Sequence, residues 1–256
     1  MSNIIAITNQ KGGVGKTTTS SALLSGLHER GKRVLGIDLD PQGNFGFSLG
    51  LDIENSRTIY DVLKGQSSLD EVIVTTDLGD IIPSNILLSG AELEFNRPGR
   101  EFMLKNMLSR IQSNYDYIII DTPPALNILT VNAYVAADSL IIPMVSEILS
   151  LVGVSQIKET IDSVRHFYNV NLNVLGILLT KYNQRINLAR EVREMAEQIA
   201  SQLDSSVFDT TIRSSVVVAE APAHGESVLQ YAPNSKPAQD YSRFIDEIIQ
   251  MTSASV

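Results

Sequence analysis

The sequence predicts an α/β protein with a doubly wound, mostly parallel sheet and helices on both faces. Three observations predict it. First, the runs Ile4–Ile7, Val34–Ile37, Asp80–Ile82, Tyr117–Ile120, Ser139–Ile142 and Val174–Leu179 are rich in Ile, Val and Leu. They lack period-2 alternation, as strands buried on both faces do. Second, longer helix-like stretches lie between them: Thr17–Arg30, Arg100–Gln112, Leu149–Phe167, Leu188–Leu203 and Ala238–Met251. In Leu149–Phe167 the residues Leu149, Val152, Ile157, Ile161 and Val164 recur at mostly three- to five-residue intervals, giving one apolar face. Third, the first strand runs directly into a glycine-rich turn and then a helix, the entry to a nucleotide-binding sheet.

The chain has 256 residues, 43% hydrophobic and 19% charged. A fold of that length buries roughly three quarters of the surface an unfolded chain exposes. One domain spanning residues 1–256 is expected. No linker, repeat or low-complexity tract breaks the pattern, and only Thr252–Val256 reads as a frayed tail. The absence of cysteine excludes disulfides, Cys-ligated zinc, iron–sulfur clusters and thiol nucleophiles. No apolar run reaches the roughly 18 residues of a membrane span. The N-terminus lacks the basic stretch of a signal peptide, so a cytoplasmic location is expected. With a net charge of −9, no whole-molecule field attracts nucleic acid or anionic lipid. Any DNA contact must come from a local patch.

The turn after the first strand reads Gln10-Lys11-Gly12-Gly13-Val14-Gly15-Lys16-Thr17-Thr18. Glycines at 12, 13 and 15 let backbone amides approach phosphate oxygens, and the following helix adds the positive end of its dipole. Lys16 is placed to neutralise β/γ-phosphate charge, and the Thr17 hydroxyl to ligate Mg²⁺. ATP and Mg²⁺ are the expected ligands, held by Lys11, Gly12, Gly13, Val14, Gly15, Lys16, Thr17 and Thr18. The spacing does not suit a dinucleotide-binding loop, in which Lys16 and Thr17 have no role.

Two further strands end in carboxylates: Asp38-Leu39-Asp40-Pro41-Gln42-Gly43-Asn44 and Asp121-Thr122-Pro123-Pro124. The carboxyl ends of parallel strands border the ligand crevice in this architecture. Asp121 is the candidate Walker B carboxylate, and Asp38 is placed to help hold the metal or Thr17. Asp40 is the candidate for orienting the attacking water. Taken singly, each Asp reads equally well as a helix cap or turn residue; the neighbouring loop favours the functional reading.

The loop departs from the common GxxxxGK[ST] form, with Gln10 at the first glycine position and the extra lysine Lys11. Lys11-Gly-Gly-Val-Gly-Lys16-Thr-Thr resembles the deviant Walker A box of the ParA/MinD superfamily of P-loop ATPases. Asp38-x-Asp-Pro-Gln-Gly-Asn44 and Asp121-Thr-Pro-Pro resemble its switch I and switch II, and Glu220-Ala-Pro-Ala-His-Gly225 a signature of its ParA-type partition ATPases. The small ParA/Soj type, without an N-terminal DNA-reading domain, is the nearest group. The resemblance implies a catalytic set of Lys11, Lys16 and Asp40, with Lys11 reaching the partner's nucleotide across a homodimer formed with ATP. It implies that Thr180 and Asn183 help enclose adenine. It further implies non-specific DNA binding, hydrolysis stimulated by a ParB-like protein, and nucleoid association in the ATP state. His224, in the same signature, reads as a structural hydrogen-bonding residue.

Candidate DNA contacts are Arg185, Arg190, Arg193 and Arg213, with Lys181 nearby. Two features pull the other way. Arg190 and Glu194 form an i,i+4 pair on a helix that also carries Glu191 and Glu197. Many relatives also carry an arginine three residues before Glu-Ala-Pro, where this chain has Val217. The alternative is a MinD-like membrane-positioning ATPase. Such proteins end in a basic amphipathic helix, whereas the stretch Gln239–Met251 is amphipathic but acidic, so no membrane contact is expected. A metabolic ATP-dependent ligase or amidase would need further acid–base residues, and none is evident.

Overall fold

The computed structural model describes residues 2–145, 151–183 and 188–253. Among these residues seven strands form one sheet: β1 (Asn3–Ile7), β2 (Val34–Asp38), β3 (Val74–Thr76), β4 (Gly79–Ile82), β5 (Tyr117–Asp121), β6 (Ser139–Val145) and β7 (Asn173–Thr180). Their order is β3-β4-β2-β5-β1-β6-β7, and every pairing is parallel except the antiparallel β3–β4 edge. The six expected strands are all present. β3, three residues long and half exposed, carries too little apolar pattern to be read in advance.

The apolar strands feed two cores. Ile4 and Ala6 of β1, Leu35 and Ile37 of β2, and Ile118 and Ile120 of β5 face one side. Ile5 and Ile7, Val34, and Tyr117 and Ile119 face the other. Successive side chains of a strand point to opposite faces, so a continuous apolar run serves both layers.

The helices are α1 (Lys16–Glu29), α2 (Asn44–Phe47), α3 (Ile59–Leu63), α4 (Ala91–Glu94), α5 (Met103–Leu108), α6 (Ile128–Ala136), α7 (Leu151–Phe167), α8 (Leu188–Gln202), α9 (Val217–Glu220), α10 (Val228–Tyr231) and α11 (Lys236–Ser253). α1 and α11 cover the face of Ile5 and Ile7, while α5 to α8 cover the other. The stretch Arg100–Gln112 is not one helix. It divides into a 3-10 turn at Arg100–Phe102, the short α5, and a further 3-10 turn at Gln112–Asn114. α6 went unread because Ile-Leu-Thr-Val-Asn-Ala-Tyr-Val-Ala is buried on nearly every side and shows no apolar stripe. Asn127 caps it, accepting from the amides of Leu129 and Thr130. Leu149, expected to open α7, lies outside the described residues.

The expected C-terminal tail is partly helix. α11 runs to Ser253, and the buried Thr252 hydroxyl meets the Tyr117 hydroxyl at 2.7 Å. Near the start of the same helix, the buried Tyr241 hydroxyl meets Thr19 of α1 at 3.2 Å. Phe244, Ile245 and Ile248 are fully buried beneath it. The apolar face of α11 is therefore spent on the core rather than offered to a lipid surface.

Gly36, in the middle of β2, lies under the ring of Phe45: a Cβ there would sit 2.8 Å from the ring. Gly36→Ala should displace Phe45 and cost about 1–3 kcal/mol, read as a lowered midpoint in thermal or urea denaturation. An unchanged midpoint would show that the 40s loop repacks freely.

Candidate active site

β1 lies inside the sheet, between β5 and β6. The loop leaving it therefore emerges between two other strand ends. Asn9 sets its start: its side-chain amide donates to the Pro143 carbonyl at 2.8 Å, and its side-chain oxygen accepts the Lys11 amide at 2.9 Å. Gly13 and Gly15 hold φ values of 73° and 89°, in the left-handed region. Gly15 is the N-cap of α1, so the loop turns straight into the helix with its amides facing outward. From the other side, the Thr180 hydroxyl at the end of β7 donates to the Val14 carbonyl at 2.7 Å.

The carboxylates meet the first turns of α1. Asp121 is fully buried, and accepts from the Thr17 hydroxyl at 2.7 Å and the Ser20 hydroxyl at 2.9 Å. Asp38 is its register partner on the neighbouring strand and is equally buried. Burial raises both carboxyls. The charge of Asp121 pushes Asp38 further, well above the usual range, against the amides of Asp40 and Phe45 that hold it down. Asp121 is pushed up to about 6, restrained by the Thr17 and Ser20 hydroxyls and by the charge of Lys16. Lys16 is itself buried, which lowers its pKa, while Asp121 and Asp40 oppose that shift. Its ammonium donates to the Lys11 carbonyl at 3.3 Å.

The two switch carboxylates do different work. Both oxygens of Asp38 accept backbone amides, of Asp40 at 2.9 Å and Phe45 at 3.0 Å, so Asp38 shapes the 40s loop. Asp40 lines the cavity and accepts the Gln42 amide at 3.0 Å. Among the described residues, no three carboxylate or imidazole groups form a protein-only metal cage. The hard-oxygen pair of the Thr17 hydroxyl and Asp121 carboxylate suits Mg²⁺, which keeps several waters and borrows phosphate oxygens.

Gly12 through Thr18 line one cavity of about 570 Å³, shared with Asp40, Thr180, Lys181 and the segment Ile212–Ser215. The exposed Asn183, expected beside adenine, is not part of its wall. Lys11 is half-buried; it precedes Gly12 of the cavity wall and is not itself part of that wall. Arg213, expected on a DNA face, lines this cavity. Its guanidinium is bound to the buried Asp240 carboxylate at 2.6 and 2.7 Å. Arg190 and Arg193 pair with Glu194 and Glu197, each at 3.0 Å, and Arg190 remains 88% exposed. Arg185 lies outside the described residues. His224 stacks on Tyr231 with ring centroids 4.8 Å apart, in keeping with a structural role.

Sequence reasoning missed Asn9, Ser20 and Tyr241. Ser20 was findable: it follows Lys16 by four residues and shares the α1 face of Thr17. It also missed why the 220s loop ends in glycine. Gly225, at φ 68°, packs backbone to backbone on Gly50, where a Cβ would come within 2.8 Å of the Gly50 Cα.

Residues 2–174 match the AAA domain family AAA_31. The chain is 42% identical over 252 residues to the sporulation initiation inhibitor protein Soj of Bacillus subtilis, covering 97% of this chain and 98% of that one. It is 40% identical to the chromosome partitioning protein ParA of Caulobacter vibrioides, over 96% and 93% of the two chains. This chain belongs to the ParA/Soj family of P-loop ATPases. Among solved structures, a Mycobacterium smegmatis protein described as cobyrinic acid a,c-diamide synthase, with bound ADP and magnesium, superimposes with a TM-score of 0.87. It is 35% identical, over 100% of this chain and 97% of the other. MinD of Pyrococcus horikoshii, complexed with Mg-ADP, shares the fold at a TM-score of 0.81 and 24% identity.

Asp121 holds its proton more tightly folded, at about 6, than at its ordinary value of 3.8. Stability from this group is therefore present below about pH 4 and lost as pH rises through 6. In nucleotide-free protein, Asp121→Asn should gain stability relative to the parent between those pH values, while Mg²⁺-dependent turnover falls about 10- to 100-fold. Urea denaturation across pH reads the first effect; a parent–variant difference that stays constant with pH would refute the assignment.

Proposed function

We propose that this chain is an MgATP-driven switch for DNA segregation or cargo positioning. It dimerises with ATP, binds DNA without reading sequence, and hydrolyses ATP slowly until a ParB-like protein stimulates it. The observation that carries the reading is the double-lysine loop at the sheet switch point, in a chain alike over nearly its whole length to chromosome partitioning proteins. On this reading one domain spans residues 1–256 and works in the cytoplasm, associated with the nucleoid while ATP is bound.

Within the site, Gly12 to Thr18 cradle the phosphates with backbone amides, and Lys16 sets its ammonium against β/γ charge. Thr17 and Asp121 hold Mg²⁺, with Asp38 supporting the arrangement through the 40s loop. The metal supplies charge neutralisation to the phosphates. Asp40 orients the attacking water. Lys11, just before Gly12, reaches the partner's nucleotide. Thr180 and the 212–215 segment enclose the base side; Asn183, outside the cavity wall, draws less support for that role.

DNA contact rests on phosphate recognition by Arg185, Arg190 and Arg193; Arg213, held by Asp240 in the cavity wall, draws less support as a DNA contact. The glutamates of α8 hold Arg190 and Arg193 only weakly, since i,i+4 helix pairs are worth ~0.3–0.5 kcal/mol. Arg190 and Arg193 are thus released to phosphate at small cost. A metabolic synthase reading, suggested by the description of the M. smegmatis protein, draws less support. Among the described residues, the carboxylates of the cavity wall are Asp40 and Glu226, and no histidine lines it. A membrane scaffold draws less support as well, because the apolar face of α11 is buried.

Sequence-unrelated duplex, titrated without nucleotide, with ADP and with ATP across a salt series, tests the scaffold. ATP-only binding is expected, with log K falling by about 0.9 per log unit of salt for each phosphate contact. Absence of binding even for Asp40→Ala held with ATP would discard DNA in favour of a protein or lipid scaffold. Lys11→Ala should bind ATP yet remain monomeric in sedimentation; a full dimer would reject the cross-interface role.

A further inference from the structure

Ser84 follows β4 by two residues, and nothing in the motif reading singles it out. β4 and β2 pair in parallel register with Ile37 opposite Ile82, so the two strand exits emerge side by side. Ser84 thus stands next to Asp40. Its side chain is fully buried, and its hydroxyl donates to the Asp40 carbonyl. The same carbonyl accepts the Gly43 amide at 2.9 Å. Gly43 holds φ 67°, and a Cβ on it would lie 3.1 Å from the Ser84 carbonyl, so the two segments are in close contact.

This fixes one peptide plane. The Asp40 carbonyl belongs to the Asp40–Pro41 peptide; Pro41 offers no amide and its φ is locked by the ring. The plane can be held only from the carbonyl side, where Ser84 and Gly43 both donate. The plane carries Pro41 and, beyond it, the Gln42 amide that the Asp40 carboxylate accepts at 3.0 Å, so turning the plane moves the donor that aims the carboxylate. A buried hydroxyl spent on this carbonyl is therefore spent on the direction of Asp40.

We propose that Ser84 is a positioning residue for hydrolysis, holding the Asp40 carboxylate in its water-orienting direction. The proposal rests on Asp40 having that role, and a misplacement of a reacting group by about 1 Å costs up to about 100-fold in rate.

The test is a double-mutant cycle on the full chain: parent, Ser84→Ala, Asp40→Ala and both together, read by single-turnover ATP hydrolysis and by MgADP affinity. Ser84→Ala should slow hydrolysis about tenfold, with MgADP affinity unchanged within about twofold. In the Asp40→Ala background it should cost nothing further, because the group it positions is gone. Ser84→Thr, which retains the hydroxyl, should recover most of the rate. A rate for Ser84→Ala equal to the parent's, with Asp40→Ala inactive, overturns the proposal while leaving Asp40 in place. So does an equal loss in both backgrounds, which marks Ser84 as merely structural. Full turnover by Asp40→Ala instead removes the reading of Asp40 itself, and the proposal with it.

Discussion

Two carboxylates buried on adjacent strands are the constraint around which this molecule is arranged. Asp38 and Asp121 sit in register at the carboxyl edge of the sheet, where neither has water to solvate its charge. Each is tolerable only because its oxygens are filled: Asp121 by two hydroxyls of α1, Asp38 by two amides of the 40s loop. The consequences reach well beyond the pair. α1 must enter at the angle that delivers Thr17 and Ser20, which requires the left-handed Gly15 at its cap. The 40s loop must fold back to deliver its amides, which brings Phe45 over Gly36. The phosphate loop and the switch loop are thus positioned by the same need to satisfy buried charge. The raised carboxyls show that burial here works against their charged forms.

Much of this was legible in the sequence, for identifiable reasons. A strand buried on both faces needs apolar residues at every position, and such runs are unmistakable in β1, β2, β5 and β6. The phosphate loop was legible because few residue types tolerate the backbone it requires. What escaped were features whose signal lies in another segment. α6 is too uniformly apolar to show a face, and β3 too short and polar to show a pattern. Thr252 looked like tail because its partner, Tyr117, is 135 residues away. Arg213 is the clearest case. As an isolated cation near other arginines it suited a nucleic-acid surface. Only the fold sets it in the cavity wall, through a buried acid on α11.

Under the proposed function, one acidic chain serves two anionic ligands. Its net charge of −9 repels polyanions at long range. The phosphate site overcomes this locally with oriented amides and the buried Lys16. The arginines of α8 are held instead by glutamates one turn away, in exposed pairs that screening weakens. The nucleotide site is built in, whereas the α8 surface is contingent on what competes for its arginines.

The contact between Gly50 and Gly225 carries a practical corollary. Two backbones packed without side chains between them approach closely, so neither loop can move toward the other without displacing it. One of these loops follows the Asp40 segment directly; the other ends in exposed residues such as Ala223 and His224, well removed in sequence from the reacting groups. The arrangement is a mechanical readout. A fluorophore attached through a cysteine introduced at position 223, in a chain that has none of its own, would sit on the far arm of that lever. It would report the state of the 40s loop from the edge of the cavity, whose wall includes Pro222 and Glu226.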